Sequence, residues 1–273
     1  MAGPPLNHHR GGAGAPLVLI HGIGSSWQAF RPVLTALEGR HDVLALDLPG
    51  FGESAPLDPG TRPTIEALAD AVEKAIGAAG FDRPHLAGNS LGGWIALELA
   101  RRGRARTVVA LSPGGMPNER ERTFIVRSLE GTLAAAGALA PHADRLTRSA
   151  VVRTLLLGQV VGQPWRMSPE EAAGALRTLA ASTAFRETLD WTLKRTNATG
   201  LEEIACPVRI AWGSQDRLLF PRQGPRFVRR IPGAEHFPMK GLGHVPMTDD
   251  PARVARAILD VTDGAAARSS APA

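Results

Sequence analysis

Short apolar runs alternate with stretches of helical periodicity in the first part of the chain. Leu17 to Ile20 and Val43 to Leu46 are apolar and closed by Gly or Pro, which is typical of buried parallel strands. Between them, Trp27 to Leu37 carries apolar residues at helical spacing, which predicts a βαβ unit. The order then continues as helix, strand, helix and strand, over Pro63–Ala79, His85–Ala87, Leu91–Arg102 and Thr107–Leu111.

The alternation lapses after Gly114, where helical periodicity takes over, and it resumes near residue 200. Within this stretch, Ser168 and Glu171 form a capping box that predicts the start of a helix. After it, the pattern predicts strand, helix, strand and helix at Val208–Trp212, Pro221–Arg230, Glu235–Met239 and Pro251–Val261, with Asp250 capping the last helix. We therefore predict an α/β core of residues 1–115 and 201–263, a helical cap at 116–200 and a disordered tail at 264–273.

The composition fits one globular α/β domain with an insertion. The chain has 273 residues, of which 44% are hydrophobic and 21% charged. Its net charge of +5 does not predict a nucleic-acid partner, because the arginines form no stripe interleaved with aromatic residues. The chain shows no signal-peptide pattern, no run of ~18 apolar residues and only one cysteine, Cys206. We expect a cytoplasmic monomer or homodimer without a membrane partner.

The strongest chemical signal is Gly88-Asn89-Ser90-Leu91-Gly92, which lies where a predicted strand ends and a predicted helix begins. In that context, a G-x-S-x-G pattern is typical of a nucleophile elbow. The glycines allow a sharp turn that presents Ser90 at the helix N-terminus, where the helix dipole favours negative charge. A Gly-rich turn that serves only close helix–strand packing is the alternative interpretation.

A serine nucleophile requires a base and a group that orients the base. Asp216 follows the strand predicted at Val208–Trp212, and His244 follows the one at Glu235–Met239, so both lie in loops at the carboxyl ends of strands. The chain order Ser, Asp, His is the one expected with such an elbow. We expect Ser90 to attack an acyl carbon, His244 to transfer the proton and Asp216 to hold His244.

A candidate oxyanion hole lies in His21-Gly22-Ile23-Gly24, directly after the strand Leu17–Ile20. The backbone N–H of Ile23 can join that of Leu91 to face the oxygen of a tetrahedral intermediate. His21 is expected to fix this loop by hydrogen bonds and not to act in the chemistry.

These motifs together resemble those of the α/β-hydrolase superfamily. The resemblance covers residues 6–263 and is carried by His21-Gly22, Asp47 to Ser54, Gly88 to Gly93, Asp216 and Gly243-His244. It implies a mostly parallel sheet flanked by helices, with a helical cap inserted after the sixth strand. Because the segment before His21 is short for the hairpin that usually opens this sheet, the first strand is expected to be missing.

Within the superfamily, a serine at the elbow argues against haloalkane dehalogenases and epoxide hydrolases, which have aspartate there. The elbow is similar to that of carbon–carbon hydrolases, but these commonly follow the histidine with tryptophan, whereas Val245-Pro246 is closer to esterases and enol-lactonases. We therefore predict a serine hydrolase for a carboxylic ester or lactone of a small to medium hydrophobic substrate, working through an acyl-enzyme without a cofactor. The alternatives are hydrolysis of a carbon–carbon bond in a vinylogous diketone, and ligand binding without catalysis.

Three residues are candidates for the substrate pocket: Trp27, Trp165 and Val245. Packing in the core is an equal alternative for each tryptophan. His8-His9 has no third ligand at a suitable spacing, so we predict no metal site. Asp47, before Pro49 and Gly50, is expected to cap a turn.

Overall fold

The fold is built around a single sheet. In the computed structural model, which describes residues 5–270 and the side chains of residues 5–265, the strands are β1 (His8–Gly11), β2 (Ala15–Ile20), β3 (His41–Leu46), β4 (His85–Asn89), β5 (Thr107–Leu111), β6 (Val208–Gly213) and β7 (Glu235–Met239). They lie in the order β1-β3-β2-β4-β5-β6-β7. The pairing of β1 with β3 is antiparallel and the other pairings are parallel. The predicted fold class, a mostly parallel α/β sheet, is confirmed.

Eleven α-helices surround this sheet in the described part of the chain. They are α1 (Arg31–Glu38), α2 (Ile65–Ala78), α3 (Leu91–Arg101), α4 (Glu119–Leu139), α5 (Ala143–Leu146), α6 (Ala150–Leu157), α7 (Pro169–Ala180), α8 (Phe185–Trp191), α9 (Gly224–Val228), α10 (Pro246–Asp249) and α11 (Pro251–Ser270). Helices α4 to α8 lie between β5 and β6, within residues 116–200, which we call the cap segment. No helix among residues 5–270 is both long and apolar enough to cross a membrane.

The sheet lies between two apolar layers because successive side chains of a strand point to opposite faces. In β2, Leu17 and Leu19 pack in one layer and Val18 and Ile20 in the other. The first layer includes residues of α1 and α11, and the second includes residues of α2 and α3. Strands buried on both faces are mostly apolar along their length, which explains the continuous apolar runs in the sequence.

A buried ion pair joins the cap segment to the core. Glu121, in the first turn of α4, is 2% exposed and accepts a hydrogen bond from Arg226 Nη2 of α9 at 3.0 Å. Arg222 also donates to this carboxylate, at 2.6 Å. Burial acts to raise the pKa of Glu121, but hydrogen bonds from Arg226, from the Asn118 backbone and from Arg222 hold it below its ordinary value. The start of the cap segment is therefore anchored electrostatically to α9.

The two ends of the chain can be compared with the expectations. Within residues 5–270 the first strand is β1, which pairs antiparallel with β3. Within residues 264–270, where a disordered tail is predicted, the backbone continues as helix α11 to Ser270. Three consecutive alanines from Ala265 have the highest helix propensity of all residues, and Ala265 itself is buried. Residues 271–273 lie outside the described residues.

Candidate active site

Ser90 lies at the tight turn between β4 and α3. Its φ of 57° and ψ of −115° are a conformation that costs L residues on the order of 1–3 kcal/mol. A Cβ at Gly88 would lie 2.2 Å from the carbonyl oxygen of Gly92, and one at Gly92 would lie 2.1 Å from that of Ile20. Neither position has room for a side chain, so the close approach that keeps Ser90 strained requires both glycines.

Asp216 and His244 meet at the carboxyl ends of β6 and β7. His244 Nδ1 lies 2.7 Å from Asp216 Oδ2, and both residues are 3% exposed. Asp216 Oδ1 accepts the N–H groups of Leu218 at 2.9 Å and Leu219 at 2.8 Å. The carboxylate is thus fixed by backbone donors on one oxygen, and its other oxygen orients the imidazole so that Nε2 is available as a base.

Asn89 joins the elbow to the loop of His244. Its Nδ2 donates to the carbonyl oxygens of His244 at 2.8 Å and Leu111 at 3.0 Å. The hydrogen bonds among the described residues do not include one from the Ser90 hydroxyl to the His244 ring, a contact that is often long in ligand-free sites and tightens on substrate binding. The sequence did not indicate this role of Asn89, because the x positions of a G-x-S-x-G pattern are open to any residue type.

The loop after β2 lies against Ser90. A Cβ at Gly22 would be 3.1 Å from the Cβ of Ser90, which places the next amide, that of Ile23, beside the elbow. Leu91 is the first residue of α3, and the first N–H groups of a helix have no acceptor within it. Both backbone groups predicted for an oxyanion hole therefore border the serine.

His21 fixes this loop. Its Nε2 accepts the N–H of Leu48 at 2.9 Å, so Nδ1 carries the proton and donates to the carbonyl oxygen of Gly22 at 2.7 Å. The residue is fully buried, and burial lowers the pKa of His21, which favours the neutral ring. Both ring nitrogens are thus engaged in holding backbone, as the sequence predicts.

Asp47 caps its turn and also holds the segment after the loop. Its Oδ2 accepts the N–H of Glu53 at 3.0 Å, and its Oδ1 accepts the N–H of Trp27 at 2.7 Å. The indole of Trp27 stacks on His9 of β1 with ring centroids 5.1 Å apart. The ring of Trp27, which is predicted to line the pocket, therefore contacts the imidazole of His9 at the edge of the sheet.

The cap segment contacts the candidate oxyanion loop with apolar side chains. A Cβ at Gly24 would lie 2.4 Å from Leu179 Cδ1 and 2.8 Å from Phe185 Cε2. Phe185 also belongs to one apolar cluster with residues of the cap segment and of the core, namely Ile125, Leu129, Leu189, Leu91, Leu218 and Leu219. The surroundings of the loop are accordingly apolar.

Trp165 and Val245, the other two residues predicted to line the substrate pocket, differ in exposure. Trp165, which is predicted to line the pocket, is 52% exposed. The buried Arg153 donates to the carbonyl oxygen of Trp165 at 3.0 Å, which fixes the backbone and leaves the indole at the surface. Val245 is partly buried next to His244, and its N–H donates to the carbonyl oxygen of Val160 in the cap segment at 2.8 Å.

No metal site is found among residues 5–265, and one cavity of the protein lies away from Ser90, Asp216 and His244. Among the described residues, no group of three or more His, Cys, Asp or Glu side chains could hold a metal ion. This cavity, of about 320 Å³, is lined by residues that include Ile65, Trp94 and Ala198, and Ser90, Asp216 and His244 are not among them.

Comparison with known proteins places these features in context. A sequence model of the alpha/beta hydrolase family matches residues 17–257. Epoxide hydrolase EphH of Mycobacterium tuberculosis is 34% identical over 198 residues, covering 70% of this chain and 91% of the relative. The pimeloyl-[acyl-carrier protein] methyl ester esterase of Neisseria meningitidis is 28% identical over 254 residues, covering 90% and 76%. The crystal structure of a membrane phospholipase A, described as a bacterial virulence factor, matches with a TM-score of 0.77 at 26% identity, covering 96% and 85%.

Proposed function

The chain belongs to the alpha/beta hydrolase family, and on this premise we propose that it is a serine hydrolase acting on carboxylic esters or lactones. The observation that carries the proposal is the hydrogen bond of 2.7 Å between His244 and Asp216 beside a serine in a strained elbow. A serine hydroxyl is a weak nucleophile, and an oriented imidazole is what activates it.

The reaction follows from these positions. Ser90 Oγ attacks the acyl carbon while His244 Nε2 takes its proton, and the N–H groups of Ile23 and Leu91 stabilise the oxyanion. Each such donor contributes about 2.7–4 kcal/mol to transition-state stabilisation. His244 then protonates the leaving oxygen, and an acyl-enzyme remains on Ser90. Water, deprotonated by the same imidazole, attacks the acyl carbon, and the imidazolium returns the proton to Ser90 Oγ as the acid leaves.

The substrate class is inferred from the surroundings and from the nucleophile. The apolar contacts of Leu179 and Phe185 at the oxyanion loop favour a small to medium hydrophobic acyl or alcohol group. One relative is named an epoxide hydrolase, but serine at the elbow favours acyl transfer, and the relative named a methyl ester esterase fits that chemistry. We propose esters or lactones for these reasons.

The test combines labelling with a substrate panel. A fluorophosphonate probe should label Ser90 in the wild type, and Ser90→Ala should lose both labelling and turnover while its thermal unfolding midpoint stays within a few degrees. Ser112→Ala is the matched control, because Ser112 is also buried with a positive φ of 45° and its hydroxyl has no partner among the described residues. It should keep its activity.

The panel consists of p-nitrophenyl esters, lactones, an epoxide and a vinylogous diketone. Turnover of esters or lactones supports the proposal. Turnover of the diketone alone would instead assign carbon–carbon hydrolysis, and turnover in Ser90→Ala would remove the serine as nucleophile. Absence of labelling together with absence of turnover would favour a ligand-binding protein.

A further inference from the structure

One stretch of the cap segment lies across the two loops that carry Asp216 and His244. We call residues 158–163 the strap and residues 241–245 the histidine loop. The carbonyl oxygen of Gly158 accepts a hydrogen bond from Arg217 Nη1, next to Asp216, at 2.9 Å. That of Val160 accepts the N–H of Val245, next to His244, at 2.8 Å. The strap therefore touches the immediate neighbours of two residues of the proposed triad.

A single carboxylate ties the strap to the histidine loop. Asp249, the last residue of α10, accepts the N–H groups of Gly162 at 2.9 Å and Gly243 at 2.7 Å with Oδ2. Its Oδ1 accepts the N–H of Gln163 at 2.8 Å. Hydrogen bonds to an ionised acceptor are roughly twice as strong as neutral ones. Both oxygens are thus occupied by backbone donors, two from the strap and one from the residue before His244.

The backbones of the strap and the histidine loop are also in direct contact. A Cβ at Gly162 would lie 2.8 Å from the carbonyl oxygen of Gly241, and one at Gly243 would lie 2.5 Å from the nitrogen of Gly162. On its other side, the histidine loop touches the end of β6, where a Cβ at Gly213 would lie 2.1 Å from the carbonyl oxygen of Gly243. Strap, histidine loop and strand end form a stack without room for side chains, and such packed contacts transmit displacement.

We propose that Asp249 is a positioning residue, which sets the backbone from which His244 reaches Ser90 and makes that position depend on the seated strap. This role rests on the proposed function, because it concerns the base of that reaction. Displacing a catalytic group by about 1 Å can cost about 10²-fold in rate. Loss of Asp249 should therefore slow the chemistry at Ser90 in molecules that are still folded.

The first experiment compares Asp249→Ala with Asp250→Ala. Asp250 is an adjacent carboxylate that also accepts a backbone hydrogen bond, from Arg253 N–H at 2.9 Å at the start of α11, and that bond involves neither the strap nor the histidine loop. The second-order rate of fluorophosphonate labelling at Ser90 is measured well below the unfolding midpoint of each variant. We expect a loss of about 10–100-fold for Asp249→Ala and a lower midpoint with an unchanged rate for Asp250→Ala. Equal labelling rates would overturn the positioning role.

The second experiment changes a residue of the strap and remains informative if Asp249→Ala fails to fold. Gly162→Ala pushes the strap away from the histidine loop, whereas Gly174→Ala in α7 places a Cβ in open space. Gly162→Ala should reproduce the loss in labelling rate, and Gly174→Ala should not. Asp249→Asn, which keeps one acceptor oxygen, should give an intermediate rate. Because both changes act through one contact, Asp249→Ala with Gly162→Ala should lose no more than the worse single variant, and multiplied losses would contradict the coupling.

A third readout separates this inference from the proposed function. A wild type that does not react with the probe would remove the proposed reaction. Amide hydrogen exchange then tests the tie itself, because Asp249→Ala should speed exchange at Gly162 and Gly243 relative to Asp250→Ala. Equal exchange at these amides in both variants would show that Asp249 does not hold the strap to the histidine loop.

Discussion

Replacing Asp216 with asparagine keeps the shape of the side chain, and the surrounding hydrogen bonds determine the result. Oδ1 accepts two backbone N–H groups, from Leu218 and Leu219, while Oδ2 faces His244 Nδ1 at 2.7 Å. The single oxygen of asparagine should therefore take the Oδ1 position, and its NH₂ should face the imidazole. The amide then donates to Nδ1, the ring carries its proton on Nε2, and it cannot accept one from Ser90.

The alternative orientation of the asparagine amide would destabilise the folded variant. Turning the NH₂ towards Leu218 and Leu219 would leave two buried N–H donors without an acceptor, and each costs about 1–3 kcal/mol. The wrong tautomer lowered kcat by about 10⁴-fold in a serine protease, which corresponds to about 5.4 kcal/mol. The other orientation of the amide would restore the correct tautomer, but its free-energy cost is comparable to this loss. We therefore expect kcat/KM of Asp216→Asn to fall by about 10³–10⁴-fold.

The assay is hydrolysis of the best ester or lactone from the panel, with Ser90→Ala defining the background rate. Thermal unfolding of Asp216→Asn must be cooperative and its midpoint above the assay temperature, so that the loss is one of chemistry. A variant that keeps more than a tenth of the wild-type kcat/KM would refute the argument, because the ring would then hold the correct tautomer without the carboxylate.

Two further predictions concern the fold and the cap segment. Burial, with repulsion from His41 and Arg106, lowers the pKa of His85 to about 4. In the unfolded chain the ring gains its proton below about pH 6.5. The free energy of unfolding is therefore highest above that pH and should fall by about 2 kcal/mol between pH 7 and 5. Urea unfolding at both pH values should show a smaller loss for His85→Gln, and equal losses would contradict this role. Leu179→Ala should move the preferred acyl chain of p-nitrophenyl esters to longer lengths. Removing its isopropyl group beside the oxyanion loop leaves room for substrate methylenes, each of which is stabilised by ~0.8 kcal/mol on burial. Leu155→Ala, at a side chain on the cap segment that is largely exposed, is the control and should keep the wild-type optimum; an unchanged optimum in Leu179→Ala would show that this wall does not select the substrate.

The order of strands and helices was predictable because the central strands are buried on both faces. Every residue of β4 and β5 is buried, and apart from His85, Asn89 and Thr107 at the strand ends these residues are small or apolar. The end of α11 was not predictable in this way, because an Ala-rich segment has high helix propensity and yet the composition of a tail. Whether such a segment is ordered depends on the surface that it meets.

In the candidate site, too, residues within local sequence patterns were predictable and residues that act through long-range contacts were not. Ser90, Asp216 and His244 each follow a strand within a local pattern, so the sequence alone indicates them. The hydrogen bonds of Asn89 and Asp249 join residues 155, 86 and 87 positions apart, and no local pattern encodes such a pairing. The carbonyl oxygen of Trp165 is likewise held by Arg153, 12 positions earlier, and no local pattern encodes this contact.

The position of the cap segment also matters while the chain is being made. Residues 112–207 separate β5 from its neighbour β6, and at ~5–20 residues per second the ribosome needs about 5–20 s to synthesise them. During this interval one edge of β5 has no partner, although every residue of the strand is buried in the finished sheet. An unpaired apolar edge is a template for pairing with other chains. The insertion therefore affects the fraction of nascent chains that fold, and slower translation lengthens the time for which the edge of β5 is unpaired.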